Sequence, residues 1–349
     1  SAGVVRSARL RLAEAAMTGA LVEQEVSMTV LAGVDIGGTK CAVCLGQETA
    51  DGVLLLAEQR FPTPSTPSAA LAQLVTMLAE LVEGAGLALA AIGVSCGGPL
   101  DSARGLILSP PNLPGWDAVD VLTPFSERFG VPAALQNDAN ACALAEWQWG
   151  AGRGCRSMIF LTFGTGMGGG LILDGRLYAG PTDMAGEVGH VRLAEDGPLG
   201  YGKRGSFEGF CSGGGIARLA QARALAALQA GDTPAFCPSL ADLGEITAES
   251  VGRAAQAGDP LALEVFETVG HYLGRGLALL VDVLNPERIV IGSIFGRQHD
   301  LLAPIALRTL REEAHPRALA VCEVVPARLG ERVGDYAGLA VAAMAAVAQ

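Results

Sequence analysis

The chain has 349 residues, half of them apolar, with 36 acidic against 24 basic side chains and a formal net charge of −12. That length exceeds what one hydrophobic core normally serves, so two lobes are expected, while the acidic balance and the lack of any Lys/Arg cluster argue against a nucleic-acid surface, which needs a basic face to displace phosphate counterions. No stretch reads as a membrane span of about 20 continuous apolar residues, because 84–100 is broken by Gly97, Gly98 and Pro99 and 336–348 is too short.

Residues 1–27 are rich in Ala, carry Arg6, Arg9 and Arg11, and lack the continuous apolar segment of a secretory leader. They are expected to form a flexible N-terminal extension to a cytoplasmic protein. Thr29 to Asp35 is an apolar, β-branched run, followed by a glycine turn, a second strand over Lys40 to Leu45 and a third between Ala50 and Arg60. This opening is a meander, not the strand–turn–helix of a dinucleotide fold. Cys41 and Cys44 form a C-x-x-C within the second strand, where residues three apart face opposite sides of the sheet. With the six other cysteines, which are scattered, they read as reduced and partly buried thiols. A loop with Pro62, Pro64 and Pro67 leads to a helix capped by Ser68 and running to about Glu83. Ala90 to Cys96 is a buried strand ending in Gly97-Gly98-Pro99, Thr123 to Phe129 a short helix, and Pro132 to Gln136 a strand that ends at Asn137-Asp138.

A second unit is expected to open near Ala139 with a helix through Trp149. Ser157 to Phe163 is a strand, a run of glycines from Gly164 to Gly170 follows, and Leu171 to Leu173 and Arg176 to Ala179 form a hairpin about Asp174-Gly175. Two strand–glycine-turn–strand segments suggest a distant internal duplication. After Ser212 the chain is largely helical, with Leu261 to Leu284 the longest periodic segment, Glu287 to Ile291 a last buried strand and Ala337 to Val347 an apolar closing helix. The expected division is 1–27 as extension, 28–138 plus 335–349 as an N-terminal lobe and 139–334 as a C-terminal lobe.

Gly164, Gly166 and Gly169 satisfy G-x-G-x-x-G, but a strand and hairpin follow where the dinucleotide fingerprint needs a helix, and there is no G-x-x-x-x-G-K-[ST]. A hairpin loop of several glycines can still hold phosphate, because its backbone N–H groups form an anion-binding nest. Ordinary tight turns would look the same for one loop; two in equivalent places point to the two ends of a nucleotide tail.

Asp35-Ile-Gly-Gly-Thr-Lys40, Asn137-Asp138-Ala-Asn140, Phe163-Gly-Thr-Gly-Met-Gly-Gly-Gly170 and Ala185-Gly-Glu-Val-Gly-His190 resemble, in order and spacing, the motif series of the ROK family (repressors, unknown frames, kinases). The resemblance covers residues 29 to about 345. It implies an α/β, two-lobed, actin-like or ribonuclease-H-like ATPase fold with the active site in the interlobe cleft, and an ATP-dependent sugar kinase using magnesium, most simply glucose to glucose 6-phosphate. The alternatives are another acceptor (fructose, mannose, an N-acetylhexosamine or a glucoside), polyphosphate as donor, or a non-catalytic sugar sensor related to the family's repressors. Against the last, residues 1–27 are too few for a winged-helix domain.

Under that resemblance Asp138 is the general base, and Gly98, Asn112, Asn137, Asp138, Glu187, His190 and Glu208 hold the sugar. Asp35, Gly37, Gly38, Thr39 and Lys40 with Gly164, Thr165, Gly166, Gly214 and Gly292 hold the nucleotide, Asp35 reaching magnesium through water. Lys40 offsets phosphate charge or forms a salt bridge, Asn137-Asp138 also suits a helix cap, and Trp116 reads as packing. Zinc-bearing members carry C-x-C-G-x-x-G-C-x-E after the motif histidine; this chain has Leu199, Tyr201 and Ser206 in place of the cysteines. A structural zinc takes about four ligands, so none is expected, and packing of Tyr201 and Phe207 is expected to hold that loop. The family resemblance further implies a homodimer or homotetramer.

Overall fold

The computed structural model describes residues 29–50 and 52–347; the expected extension over 1–27 lies outside them. The chain forms two units. The first takes in the chain through Arg153, Ala179–Met184 and everything from Arg332 on, and the second Gly154–Tyr178 and Ala185–Glu331.

In the first unit β1 (Thr29–Ile36), β2 (Lys40–Thr49) and β3 (Gly52–Pro62) form the expected antiparallel meander. Helix α1 (Pro67–Ala85) then crosses to β4 (Ala88–Cys96), which pairs parallel with β1. Thr66, not Ser68, caps α1: its hydroxyl accepts from the Ala69 amide at 3.3 Å. Pro67 takes the first helical position, where its missing N–H costs nothing, and this pushes the cap one residue upstream of the proline. By length and composition α1 is long and apolar enough to cross a membrane, although no unbroken apolar run marks it in the sequence. Here Leu71, Leu74, Leu78 and Leu81 are buried in the core of the first unit.

Three two-residue strands, β5 (Leu100–Asp101), β6 (Leu106–Ile107) and β7 (Val119–Asp120), make a small sheet that the sequence did not announce. Trp116, beside it, is buried as expected of a packing residue. After α2 (Thr123–Phe129), β8 (Ala133–Asn137) pairs parallel with β4, giving the order β3-β2-β1-β4-β8. Helix α3 (Asp138–Trp149), expected to open the second lobe, belongs to the first unit, since it packs on the closing helix α11 (Val333–Val347). That closing helix lies directly on the sheet at Gly93 and Gly338, where a Cβ on either would strike the other's backbone or its neighbours.

The second unit repeats the plan. Strands β9 (Met158–Leu161), β10 (Gly169–Leu173) and β11 (Arg176–Leu177) form a meander, with Asp174 and Gly175 both at positive φ in the turn, as a two-residue hairpin demands. The strand β14 (Arg288–Ile291) pairs parallel with β9, and β15 (Glu323–Pro326) parallel with β14, in the order β11-β10-β9-β14-β15. Strand β15 went unforeseen because it is a half-exposed edge of four residues ending in proline. With it each sheet has five strands and the same topology, which is what the duplication required. Hairpin strands β12 (Leu199–Gly200) and β13 (Lys203–Arg204) precede helices α4 (Phe207–Phe210), α5 (Gly213–Ala230), α6 (Ala248–Gln256) and α7 (Pro260–Leu284). The last packs along α9 (His299–Glu313), which follows the single turn α8 (Ile294–Arg297); the short α10 (Pro316–Leu319) completes the unit.

Candidate active site

In the first unit the parallel strands β1, β4 and β8 end together, Ile36 opposite Cys96 and Cys96 opposite Asn137. Carboxyl ends of parallel strands are where α/β sheets place ligands, and the predicted residues gather there. The Ile36–Lys40 turn is closed by the Gly37 amide on the Lys40 carbonyl at 3.1 Å. Thr63, which sequence reasoning passed over as part of a proline loop, donates its hydroxyl to the Gly37 carbonyl at 2.5 Å and its amide to the Thr39 carbonyl at 3.1 Å. Gly38, Thr39 and Lys40 are exposed. Asn112 packs on Gly38 so closely that a Cβ there would collide with it. A Cβ on Gly98 would lie 3.1 Å from Asn137 Nδ2, and one on Gly97 4.0 Å from Asp138 Oδ2.

Asn137 caps α3, its side chain accepting from the Ala139 amide at 2.9 Å. Asp138 Oδ1 also accepts from that amide, at 2.8 Å, with the side chain exposed in the first turn. Capping and solvent-facing chemistry thus coexist on the two residues. The Asp35 carboxyl is pushed up to about 6, chiefly by burial and then by the Asp138 carboxylate; Lys40 and Arg60 pull it back only in part, and Asp335 adds to the rise. Arg60 is itself paired with Glu58 and Asp335. Two acids crowded with too little positive charge form a donor set that suits a hydrated divalent cation shared with phosphates. Lys40 forms no ion pair among the described residues, so the salt-bridge alternative has no partner there.

In the second unit the glycine loop after β9 is tied by the Gly168 amide to Thr162 Oγ1 at 2.8 Å and by the Gly164 amide to the Gly166 carbonyl at 3.1 Å. Glu208 reaches into this loop: its Oε2 accepts from the Met167 amide at 3.0 Å, beside Gly166. That bond is a second task for a residue assigned only to the sugar. The Gly169 amide bonds to the Gly186 carbonyl at 2.8 Å, which brings the 185–190 motif against the same loop. There Glu187 immediately precedes the single helical turn Val188–His190 that carries His190, His190 Nε2 lies 4.0 Å from Glu187 Oε2, and a Cβ on Gly189 would lie 3.2 Å from that of Glu208.

The other side of the loop opens on a pocket of about 480 Å³ lined in part by Gly164, Thr165, Gly213 and Gly214. The Gly213 amide donates to the Gly164 carbonyl at 2.8 Å, and Ser212 caps α5 through the Gly215 amide at 2.9 Å. Ile246, Thr247, Glu249 and Arg297 also line it, though no sequence motif marked them. Gly292 does not line the pocket; it is buried behind it, its amide on the Leu161 carbonyl at 2.9 Å, and the neighbouring Ser293 faces the pocket instead.

The ROK family profile matches residues 31–345. The chain belongs to the ROK family. The glucokinase of Streptomyces coelicolor is 34% identical over 316 residues, 88% of this chain and 95% of that protein. The structure of a ROK family glucokinase from Streptomyces griseus in complex with glucose and AMPPNP is 30% identical with a TM-score of 0.67, covering 90% of this chain and 99% of that one. The family's repressors are relatives too: the DNA-binding transcriptional repressor Mlc of Escherichia coli is 30% identical over 230 residues, 65% of this chain and 54% of that protein.

The loop over 199–208 is held by hydrogen bonds and one buried aromatic side chain. Ser206 is buried, caps α4 through the Gly209 amide at 3.0 Å and donates to the Lys203 carbonyl at 3.3 Å. Lys203 Nζ donates to the His190 carbonyl at 2.6 Å. Phe207 is buried as expected, against Gly276. Tyr201 is not: it is 69% exposed, because it occupies the β12–β13 turn at φ 41°, and its ring makes an edge contact with the His190 ring, 5.0 Å between centroids.

Proposed function

We propose that this ROK protein is an ATP-dependent hexose kinase with glucose as its first acceptor. The observation that carries the proposal is the pairing of an exposed Asp138 with the crowded Asp35 at the strand ends that also hold Gly98, Asn112 and Asn137. The glucokinase relatives, matched along nearly their whole length, support the choice of reaction and of glucose.

Phosphoryl transfer asks the protein for position and charge more than for covalent chemistry. Asp138 accepts the proton of the attacking sugar hydroxyl, a contribution of about 10²–10⁴-fold for a placed base. Its Oδ1 bond to the Ala139 amide fixes the carboxylate's direction while Oδ2 faces the Gly97 side. Asn112, Asn137 and the Gly98 backbone, with Glu187, His190 and Glu208, pair with sugar hydroxyls that would be costly to bury unpaired. The backbone turns at Gly37–Lys40 and Gly164–Gly166 hold the phosphates, and Gly214 lies under the nucleoside. Asp35 would hold the magnesium ion of magnesium-ATP through water, and that ion would supply neutralisation of the charge that develops on transfer. The loop over 199–208 is complete without zinc in this assignment. The second reading, a sugar-responsive repressor, draws on the kinship with Mlc, but a sensor has no need of a base at Asp138.

Asp138→Asn keeps the shape and the capping bond but not the basicity. Its turnover with glucose and ATP is expected to fall by about 10²–10⁴-fold, with glucose affinity changed several-fold at most. Turnover near wild type would remove Asp138 from its role.

A further inference from the structure

The tip of the first glycine turn, Gly38-Thr39, is exposed, and its two backbone amides bond to nothing among the described residues. With glycine at both 37 and 38 this tip has more backbone freedom than other residues would give it. A side chain cannot stiffen it from within. A Cβ on Gly37 would come within 2.8 Å of the Lys40 carbonyl oxygen, and one on Gly38 within 2.4 Å of the Asn112 carbonyl oxygen. Rigidity has to come from outside the turn, and Thr63 supplies it.

Thr63 stands half-buried just past the end of β3. Its hydroxyl donates to the Gly37 carbonyl at 2.5 Å and its amide to the Thr39 carbonyl at 3.1 Å. The buried Cys41 thiol lies 3.5 Å from the same hydroxyl oxygen. Burial pushes that thiol up, so it keeps its proton. Because the threonine proton is committed to Gly37, the thiol is the donor in this contact. One hydrogen-bonded line therefore runs from Cys41 through Thr63 to the Gly37 peptide.

A trans peptide points its C=O and its N–H in opposite directions. Holding the Gly37 carbonyl toward Thr63 thus turns the Gly38 N–H away from β3. The second bond fixes the Thr39–Lys40 peptide, so the Gly38–Thr39 peptide is held between two anchored ones. A hydroxyl donated to a carbonyl also polarises that peptide, which strengthens the N–H on its far side as a donor. Amides fixed and polarised in advance are what an anion nest requires, since little ordering cost remains when a phosphate arrives.

We propose that Thr63 is a positioning residue for the phosphoryl donor, its hydroxyl aiming the Gly38 amide at a phosphate oxygen of ATP. The proposal rests on the reading of this turn as a phosphate site given above. Thr63 acts through Gly38, so its effect falls on the nucleotide and not on the sugar.

Thr63→Val and Thr63→Ala both remove the hydroxyl and keep the amide, the first with the β-branched shape intact; Thr63→Ser keeps the hydroxyl. The test compares wild type and the three variants by calorimetric binding of magnesium-ATP, by steady-state KM and kcat for ATP and glucose, and by the NMR signal of the Gly38 amide. Thr63→Val and Thr63→Ala are expected to weaken magnesium-ATP binding by about 3–10-fold, the worth of one neutral hydrogen bond. KM for ATP should rise by the same factor, while kcat and KM for glucose change by less than about two-fold. The Gly38 amide proton should move upfield in both, as its polarisation is lost, and Thr63→Ser should restore affinity and signal alike. ATP affinity near wild type in whichever hydroxyl-free variants fold, a serine variant as impaired as they are, or an equal rise in KM for glucose would overturn the proposal. So would a lower melting temperature in these variants with no loss selective for ATP, which is the signature of a purely structural threonine. ATP binding that follows the expected order in a protein with no sugar-dependent turnover would leave Thr63 in its role and count against the kinase reading alone.

Discussion

Asp35 shows how a single side chain reports on its surroundings. Burial and the Asp138 carboxylate raise its carboxyl to about 6, so the folded chain binds this proton more tightly than the unfolded one. The sign follows from linkage: the stabilising contribution is full below pH 4 and is lost as pH rises through about 6. At pH 8, without a cation, the ionised Asp35 therefore costs about 1–3 kcal/mol. Asp35→Asn is expected to melt several degrees above wild type at pH 8 and alongside it at pH 4, while losing activity. A variant no more stable than wild type at pH 8 would mean that neither burial nor the Asp138 carboxylate penalises ionised Asp35 in the apo protein. Asp35, Asn137 and Asp138 were picked out in the sequence by the family resemblance, and they lie at or next to strand ends. Thr63 and Arg297 were not, since their partners Gly37 and Ser293 have no pattern that names them: the first pair meets across a sheet, the second through a serine in a glycine's conformation.

At the scale of elements, turns and strands with strong local chemistry could be read directly, and those that depend on partners could not. The Asp174-Gly175 hairpin and the long helix over 260–284 stood out by turn residues and by period. The β5–β7 sheet and β15 did not, because two- or four-residue strands at an edge have too few residues to show alternation. The 199–208 loop lies between these cases: Leu199, Tyr201 and Ser206 are plain in the sequence, but what they pack against is not. Phe207 packs and Tyr201 does not; the buried hydroxyl of Ser206 takes up the rest. Ser206→Ala is therefore expected to cost about 1–2 kcal/mol, from a lost cap that leaves the buried Gly209 amide without its partner, and to lower the melting temperature accordingly. Treatment with a chelator should leave that temperature unchanged. Stoichiometric zinc in the purified protein, or melting that falls with chelator, would contradict a metal-free loop.

Across the whole molecule, the two five-stranded sheets share one strand order, which matches the repeat suggested by the two glycine turns. Each copy keeps its turn at the same place, between the first two strands of its meander, and each has put it to use beside different side chains. In the first unit the turn stands by Asp35, Asn112 and Asp138; in the second it stands by Glu208 and the pocket lined by Thr165 and Gly214. The central claim is that these parts act together in phosphorylating a hexose. It is tested most directly by incubating the full chain with magnesium-ATP and each of a panel of sugars, then identifying the phosphorylated product by mass spectrometry and NMR. The account predicts ADP released in step with glucose 6-phosphate, with glucose the best acceptor of the panel. No sugar-dependent ADP release from folded, ATP-binding protein would contradict it.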